Sequence, residues 1–219
     1  MKIDLPQSES PQQDVNSKSQ GRLLDNTSVI RWCYEGVTAH TLGNAASSKM
    51  LKPAKVEETL WGNRVMGTTG GKQWTTLLCE HVVKEALIKL GRKNVRNTVR
   101  KSGSIRPKKY SPDLECDEFV YEVKGRSWCT SGTAGEKILG VPLKYGEVPR
   151  LYGKPLKIVL VGYQEYEARS AFAFGDLLDS KNQTKELELS LAFHKKQLIE
   201  YVAFTDILKE IGLSEGCWK

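Results

Sequence analysis

The sequence predicts an α/β domain, and three observations carry that prediction. Over residues 74–90, Leu78, Val82, Ala86 and Leu90 recur every four residues, flanked by Cys79, Val83 and Leu87, which is the stripe of a helix packed on a core. Residues 156–163 form an apolar run broken only by Lys157 and Gly162 and bounded by Pro155 and Gln164, as in a central buried strand. Two extended stretches, 109–116 and 119–126, are separated by Asp117-Glu118, a pair that suits a tight turn.

The remaining elements follow in chain order. Residues 1–28 are rich in Ser, Gln, Asn and Asp with little apolar periodicity, so they bury too little surface to offset ordering entropy and are predicted to be a disordered tail. Residues 29–66 place Trp32, Tyr34 and Trp61 among Gly and Ser, with a short helical stretch near 56–60. They read as an N-terminal extension that contacts DNA or forms a dimer. The main domain is expected over 67–219. Gly91 ends its first helix, and a short extended stretch follows at 95–101. Thr133-Ala134-Gly135-Glu136 is a capping-box pattern opening a short helix, which Gly140 and Pro142 should stop. Helical patterns at 165–178 and 185–198, a strand at 199–204 and a short helix from Asp206 complete the domain.

Composition narrows the function. The 219 residues are 39% apolar, enough for one ordinary domain and a tail. Unbroken apolar stretches such as 158–161 fall far short of the roughly 18–20 residues that span a bilayer, and a polar segment follows Met1, so neither a membrane span nor a secretory signal is expected. The excess of 33 Lys+Arg over 26 Asp+Glu leaves a net charge of +7, which favours a polyanionic partner. The 5 cysteines, Cys33, Cys79, Cys116, Cys129 and Cys217, are widely spaced, form no CxxC pair and accompany only 3 histidines. That pattern argues against a zinc cluster or disulfide scaffold and predicts small buried hydrophobes in a reducing cytoplasm.

The segment 111–124 carries the chemistry. If Asp117 and Glu118 form a two-residue turn, Cys116 faces Phe119, and counting outward sets Asp113 opposite Glu122. Side chains alternate, so Leu114, Cys116, Phe119, Tyr121 and Val123 share an apolar face. Asp113, Glu115, Glu122 and Lys124 share the other, with Val120. Facing carboxylates repel unless a cation sits between them, and Mg2+ is commonly held by one or two carboxylates plus a phosphate. Lys124 beside such an ion could orient or deprotonate an attacking water and counter transition-state charge. The same pattern also suits a half-exposed hairpin with a solvated polar face.

Pro112-Asp113 followed by Glu122-Val123-Lys124 resembles the signature of the PD-(D/E)xK nuclease superfamily, which includes most type II restriction endonucleases. The resemblance covers roughly 74–204, and the segments 130–138 and 152–155 also look like those of predicted restriction enzymes. It implies a restriction-endonuclease-like core with a central mixed sheet flanked by helices. It also implies Asp113 and Glu122 as metal ligands, Lys124 as the catalytic lysine, and Mg2+, with Mn2+ as substitute, as the cofactor. A further glutamate on the preceding helix is implied, for which Glu80 is the best match. On the helical wheel Glu80 and Glu85 lie at opposite edges of the apolar stripe. His81, His40 and the capping-box residue Glu136 have simpler readings as surface, packing or cap residues.

Between Ala86 and Pro112 stand 9 basic residues and no acidic one: Lys89, Arg92, Lys93, Arg96, Arg100, Lys101, Arg106, Lys108 and Lys109. Such a run is usually a solvated face. Abutting a carboxylate pair, it reads instead as a track steering a DNA backbone to a metal site. Ser127, Ser131, Thr133, Lys137 and Lys144 are further candidate phosphate contacts. The expectation is a type II restriction enzyme that cuts double-stranded DNA as a homodimer. A homing endonuclease or structure-specific resolvase would share every residue named, and a non-catalytic DNA-binding module would gain little from acids facing a polyanion.

Overall fold

The computed structural model describes residues 22–36, 48–69, 74–104, 109–129, 135–170 and 184–216. Helices α1 (Thr27–Glu35), α2 (Ser48–Met66) and α3 (Trp74–Lys89) precede the strands β1 (Arg96–Asn97), β2 (Lys101–Ser102), β3 (Lys109–Tyr110), β4 (Leu114–Glu115) and β5 (Val120–Arg126). A 3-10 turn (Gly135–Gly140), α4 (Val141–Lys144) and α5 (Val148–Tyr152) lead to β6 (Leu156–Gly162) and α6 (Tyr163–Ser170). The chain closes with α7 (Lys185–Lys196), β7 (Ile199–Ala203) and α8 (Phe204–Glu210).

Five strands make a mixed sheet in the order β1-β4-β5-β6-β7, flanked by helices on both faces. β1, β4 and β5 run antiparallel, whereas β5, β6 and β7 are parallel. One face packs Leu114, Cys116, Tyr121, Val123, Val159 and Val161 against α1, α2, α3 and α8. The other packs Val120, Ile158, Leu160, Ile199 and Tyr201 against Ile138, Val141, Tyr145, Val148 and Tyr152. β6 is buried on both faces, which is why its sequence is a continuous apolar run. Among the described residues no helix is long and apolar enough to cross a membrane.

Several boundaries differ from expectation. Residues 22–28 are not a tail: Leu23 and Leu24 are buried, and the Glu85 carboxylate accepts their N–H groups at 3.1 and 3.0 Å. Two leucines are too few to show a period, and the carboxylate that orders them stands far along the sequence. Residues 1–21 lie outside the described residues. Residues 29–66, read as an extension, supply Val29, Ile30, Trp32, Cys33 and Trp61 to the same core as α3. The rings of Trp32, Trp61 and Trp74 meet pairwise at 5.8–5.9 Å, an arrangement that spans what the sequence divided.

The stretches 95–101 and 109–116 each split in two. Pro112 has no N–H to give a ladder, and β2 and β3 pair with each other as a separate hairpin instead of extending the main sheet. Pro142 sits in the first turn of α4, where a missing N–H is harmless, and so begins a helix instead of ending one. Gly162, at φ +62°, ends β6 one residue early, and a Cβ there would come within 3.0 Å of the Trp32 ring. The sixth helix therefore starts at Tyr163, and the rest of the helix expected over 165–178 lies beyond the described residues after Ser170. Cys33, Cys79, Cys116 and Cys129 are buried thiols that form no disulfide, and Cys217 falls outside the described residues.

Candidate active site

The β4–β5 hairpin has the register counted from the sequence. Cys116 N–H donates to Phe119 O at 2.9 Å, closing the two-residue turn at Asp117 and Glu118. Leu114 pairs with Tyr121 and Glu115 with Val120, and just beyond the last pair the Asp113 and Glu122 carboxylates are electrostatic neighbours. β4 ends at Leu114, yet Asp113 stays attached. Its N–H donates to Tyr121 O at 3.0 Å, and its Oδ2 accepts the Val123 N–H at 2.7 Å.

Glu122 is only 2% exposed. Its Oε1 takes a hydrogen bond from the Lys124 ammonium, while its Oε2 is buried outside hydrogen-bond distance, with the Tyr145 hydroxyl as a polar neighbour of the carboxylate. A carboxylate so buried and so thinly compensated marks where a cation would be welcome. Lys124 is half-buried and also donates to Val123 O at 3.3 Å. Burial, and next the Glu122 charge, lift the Asp113 carboxyl to about 7, against the opposing pull of the Val123 N–H and of Lys124.

Glu80 belongs to the same electrostatic group. Burial raises its carboxyl above the ordinary range, His81 opposes the shift, Glu122 adds to it and Lys124 opposes it. Its position follows from packing: α3 crosses β5 at Gly125, where an added Cβ would fall 2.0 Å from Cys79 Sγ. That close approach brings the residue after Cys79 toward Asp113, Glu122 and Lys124. Glu85, the competing candidate, is committed to Leu23 and Leu24. The four residues expected to carry the chemistry are thus electrostatic neighbours.

Tyr145, just after α4, was not anticipated. Its hydroxyl lies near Glu122, and burial followed by that carboxylate raises its pKa, so it keeps its proton. No local pattern could have announced it, because α4 brings it in by packing against the face that holds Val120 and Ile158. Glu58 was missed as well. This buried residue of α2 accepts from Trp32 Nε1 at 2.8 Å, Trp128 N at 2.8 Å and Cys129 N at 3.0 Å, fixing the chain just beyond β5.

The basic run does not converge on the carboxylates as a unit. Arg92 pairs with Glu118 at the hairpin turn and lies over the Phe119 ring at 5.1 Å, and Lys93 is exposed at the same end. Arg96 pairs with Glu115 at 2.8 Å. Lys101 donates to Leu151 O at 3.0 Å with its ammonium 4.6 Å from the Tyr152 ring, which ties the β2–β3 hairpin to α5. Three members of the track therefore have structural partners in their own chain. Arg100 and Lys109 are exposed on or beside the β2–β3 hairpin, and Lys137 is exposed on the 3-10 turn. Ser127 is half-buried just past β5. Arg106, Lys108, Ser131 and Thr133 lie outside the described residues, as does His40.

Among the described residues no three His, Cys, Asp and Glu side chains form a ready-made metal cage. What the site offers is a carboxylate pair with one free buried oxygen and an adjacent lysine, a donor set that suits a hard ion completed by water and phosphate. No family model matches the chain, and neither curated proteins nor solved structures yield a match.

Proposed function

We propose that this protein is a Mg2+-dependent endonuclease of the PD-(D/E)xK kind, hydrolysing phosphodiester bonds of double-stranded DNA at a short site as type II restriction enzymes do. The observation that carries the reading is the closeness of the Asp113 and Glu122 carboxylates beyond a two-residue hairpin turn, with Lys124 on Glu122 and Glu122 Oε2 buried outside hydrogen-bond distance. The succession of helix α3, antiparallel β4–β5 and parallel β6 agrees with the core that the motif implies.

Asp113 and Glu122 are the residues that would hold the divalent ion, which when bound polarises the phosphoryl oxygen and lowers the pKa of a coordinated water. The remaining work falls to the chain. Lys124, with Glu122 Oε1 and Val123 O as its present acceptors, has one further Nζ donor to offer the attacking water or a phosphoryl oxygen as charge builds there. Glu80, an electrostatic neighbour of Asp113, Glu122 and Lys124, would accept a hydrogen bond from that water. Two copies of the chain would supply one such site for each strand of a symmetric duplex.

The test is to incubate long linear duplex DNA with the protein, with and without Mg2+, and to sequence the fragment ends. Recurrent ends at one short sequence, formed only with Mg2+, are expected. Intact linear duplex alongside cut branched DNA would assign a resolvase instead, and binding without any cleavage would remove the catalytic reading.

A further inference from the structure

The β2–β3 hairpin stands off the main sheet without losing its register. Arg96 pairs with Glu115 and Asn97 with Leu114 on one side of Pro112, and Lys101 with Tyr110 and Ser102 with Lys109 on the other, so residues 98–100 face 111–113 one for one. The Thr98 N–H, donating to Asp113 O at 3.4 Å, bridges the interruption. Asp113 therefore lies at the root of a single two-stranded ribbon. One face of that ribbon is fastened down: Tyr152 Oη donates to Val99 O at 2.7 Å, the Tyr110 ring meets the Tyr145 ring at 6.3 Å, and Lys101 donates to Leu151 O of α5. Alternation about Lys101 and Tyr110 turns the other face outward, with Ser102 opposite Lys109 and Arg100 opposite Ser111. All four are exposed, and none has a side-chain hydrogen bond or ion pair among the described residues.

We propose that this outward face enters the major groove of duplex DNA and reads sequence there, with Ser102 and Ser111 at the base edges and Arg100 and Lys109 on the phosphates to either side. A two-stranded ribbon is one of the two elements that the major groove admits. The pairing sets the short hydroxyls on one diagonal of the face and the long cations on the other, one cation on each strand. Spanning a groove calls for that arrangement, because the cations reach its two walls while hydroxyls, able to donate or accept, stay at its floor. From Arg100 to Ser102 the face is about 7 Å long, the rise of two base pairs, so two adjacent pairs are read. Ser111 stands two residues from Asp113 and Lys109 four, which puts those pairs within about four of the bond to be cut. The inference rests on the nuclease reading for its duplex, yet the face itself needs neither Glu122 nor a metal.

The test gives the full chain a pool of duplexes randomised over a short stretch. Duplexes retained in EDTA are sequenced, and so are the ends cut from the same pool in Mg2+. The wild type should enrich one short motif. Ser102→Ala and Ser111→Ala change exposed residues and should leave Tm unaltered, and each should lower the preference at one base pair of that motif by about fivefold or more, at adjacent positions. Lys109→Ala should instead weaken binding to every sequence alike and keep the motif. No motif in either measurement, or a motif that both serine variants reproduce, would overturn the proposal. A motif that is bound and altered by the serine variants but never cut would remove the nuclease reading and leave the ribbon in place, whereas cleavage at a motif indifferent to both serines would do the reverse.

Discussion

Asp113 accepts the Val123 N–H at 2.7 Å, so a side chain of one strand fills the ladder position that a carbonyl of a longer β4 would have taken. The bond aims a carboxylate at the start of Glu122-Val123-Lys124 and gives Asp113 two separable duties, closing the hairpin and carrying charge. Asp113→Asn keeps an acceptor for Val123 and loses the charge. It should fold at least as stably as the wild type at neutral pH and fail to cleave. Asp113→Ala and Glu122→Ala should also abolish cleavage, while duplex affinity measured in EDTA stays level or rises, since each removes a charge that repels phosphate. Equal losses of binding and cleavage would show the residue to be structural.

The pH dependence of stability follows from the same residue. The folded-state value of about 7 lies above the ordinary Asp value of about 3.9, so the native chain holds this proton more tightly than the unfolded chain. The associated stability is fully present below about pH 4 and is lost as pH rises to about 7, with Glu80 acting in the same direction. Thermal melts without divalent metal should therefore show a decline between about pH 4 and 7 that is shallower in Asp113→Asn. Mg2+ should raise Tm more at pH 8 than at pH 5, because the ion binds the deprotonated pair. No Mg2+ effect at pH 8 would count against the metal site.

Gly125 should tolerate no side chain. Its added Cβ would fall 2.0 Å from Cys79 Sγ and 2.9 Å from Cys79 Cβ, so Gly125→Ala must push α3 away from β5 and carry Glu80 with it. A destabilisation of about 1–3 kcal/mol is expected, together with reduced cleavage in whatever fraction remains folded. Cys79→Ala should recover part of both losses by removing the nearer atom. Urea denaturation of the two single variants and the double variant decides it, and additive effects would contradict the contact.

The local half of this protein could be read from its sequence. The hairpin register, the two faces of β5 and the stripe of α3 depend on residues a few positions apart, and all three stand as counted. What could not be read depends on contacts distant in sequence: Glu85 on Leu23 and Leu24, Glu58 on Trp128 and Cys129, Tyr145 beside Glu122. A carboxylate that caps another segment looks the same in sequence as one that is solvated. The basic run misled for the same reason, because whether Arg92 offers its guanidinium to phosphate or to Glu118 depends on where the hairpin turn comes to rest.

DNA binding should accordingly involve fewer cations than the run contains. With Arg92, Arg96 and Lys101 engaged in their own chain, the exposed Lys89, Lys93, Arg100 and Lys109 of the run, together with Lys137, are described candidates for phosphate contact. Five such contacts give a slope of log affinity against log salt of about −4.5. Replacing Arg100 by alanine should flatten that slope by about one, and Arg92→Ala should leave it alone while lowering stability. A salt response near zero would remove the electrostatic footprint altogether.

Lys124 divides the structural and catalytic explanations most sharply. Its ammonium sits on a nearly buried Glu122, so Lys124→Ala leaves a carboxylate without its counter-charge and should destabilise the metal-free protein by about 1–3 kcal/mol. A purely structural lysine would do no more than that, and Mg2+, by neutralising Glu122, would then restore both stability and rate. If Lys124 also positions the nucleophile and balances transition-state charge, Mg2+ should restore the melting temperature while the cleavage step stays slower by a factor on the order of 10² or more. Lys124→Arg keeps the charge but not the compact ammonium, so it should preserve stability and still cleave poorly. Single-turnover cleavage at saturating protein and Mg2+ isolates that step. A Lys124→Ala rate within about threefold of wild type would leave the residue with only its structural duty.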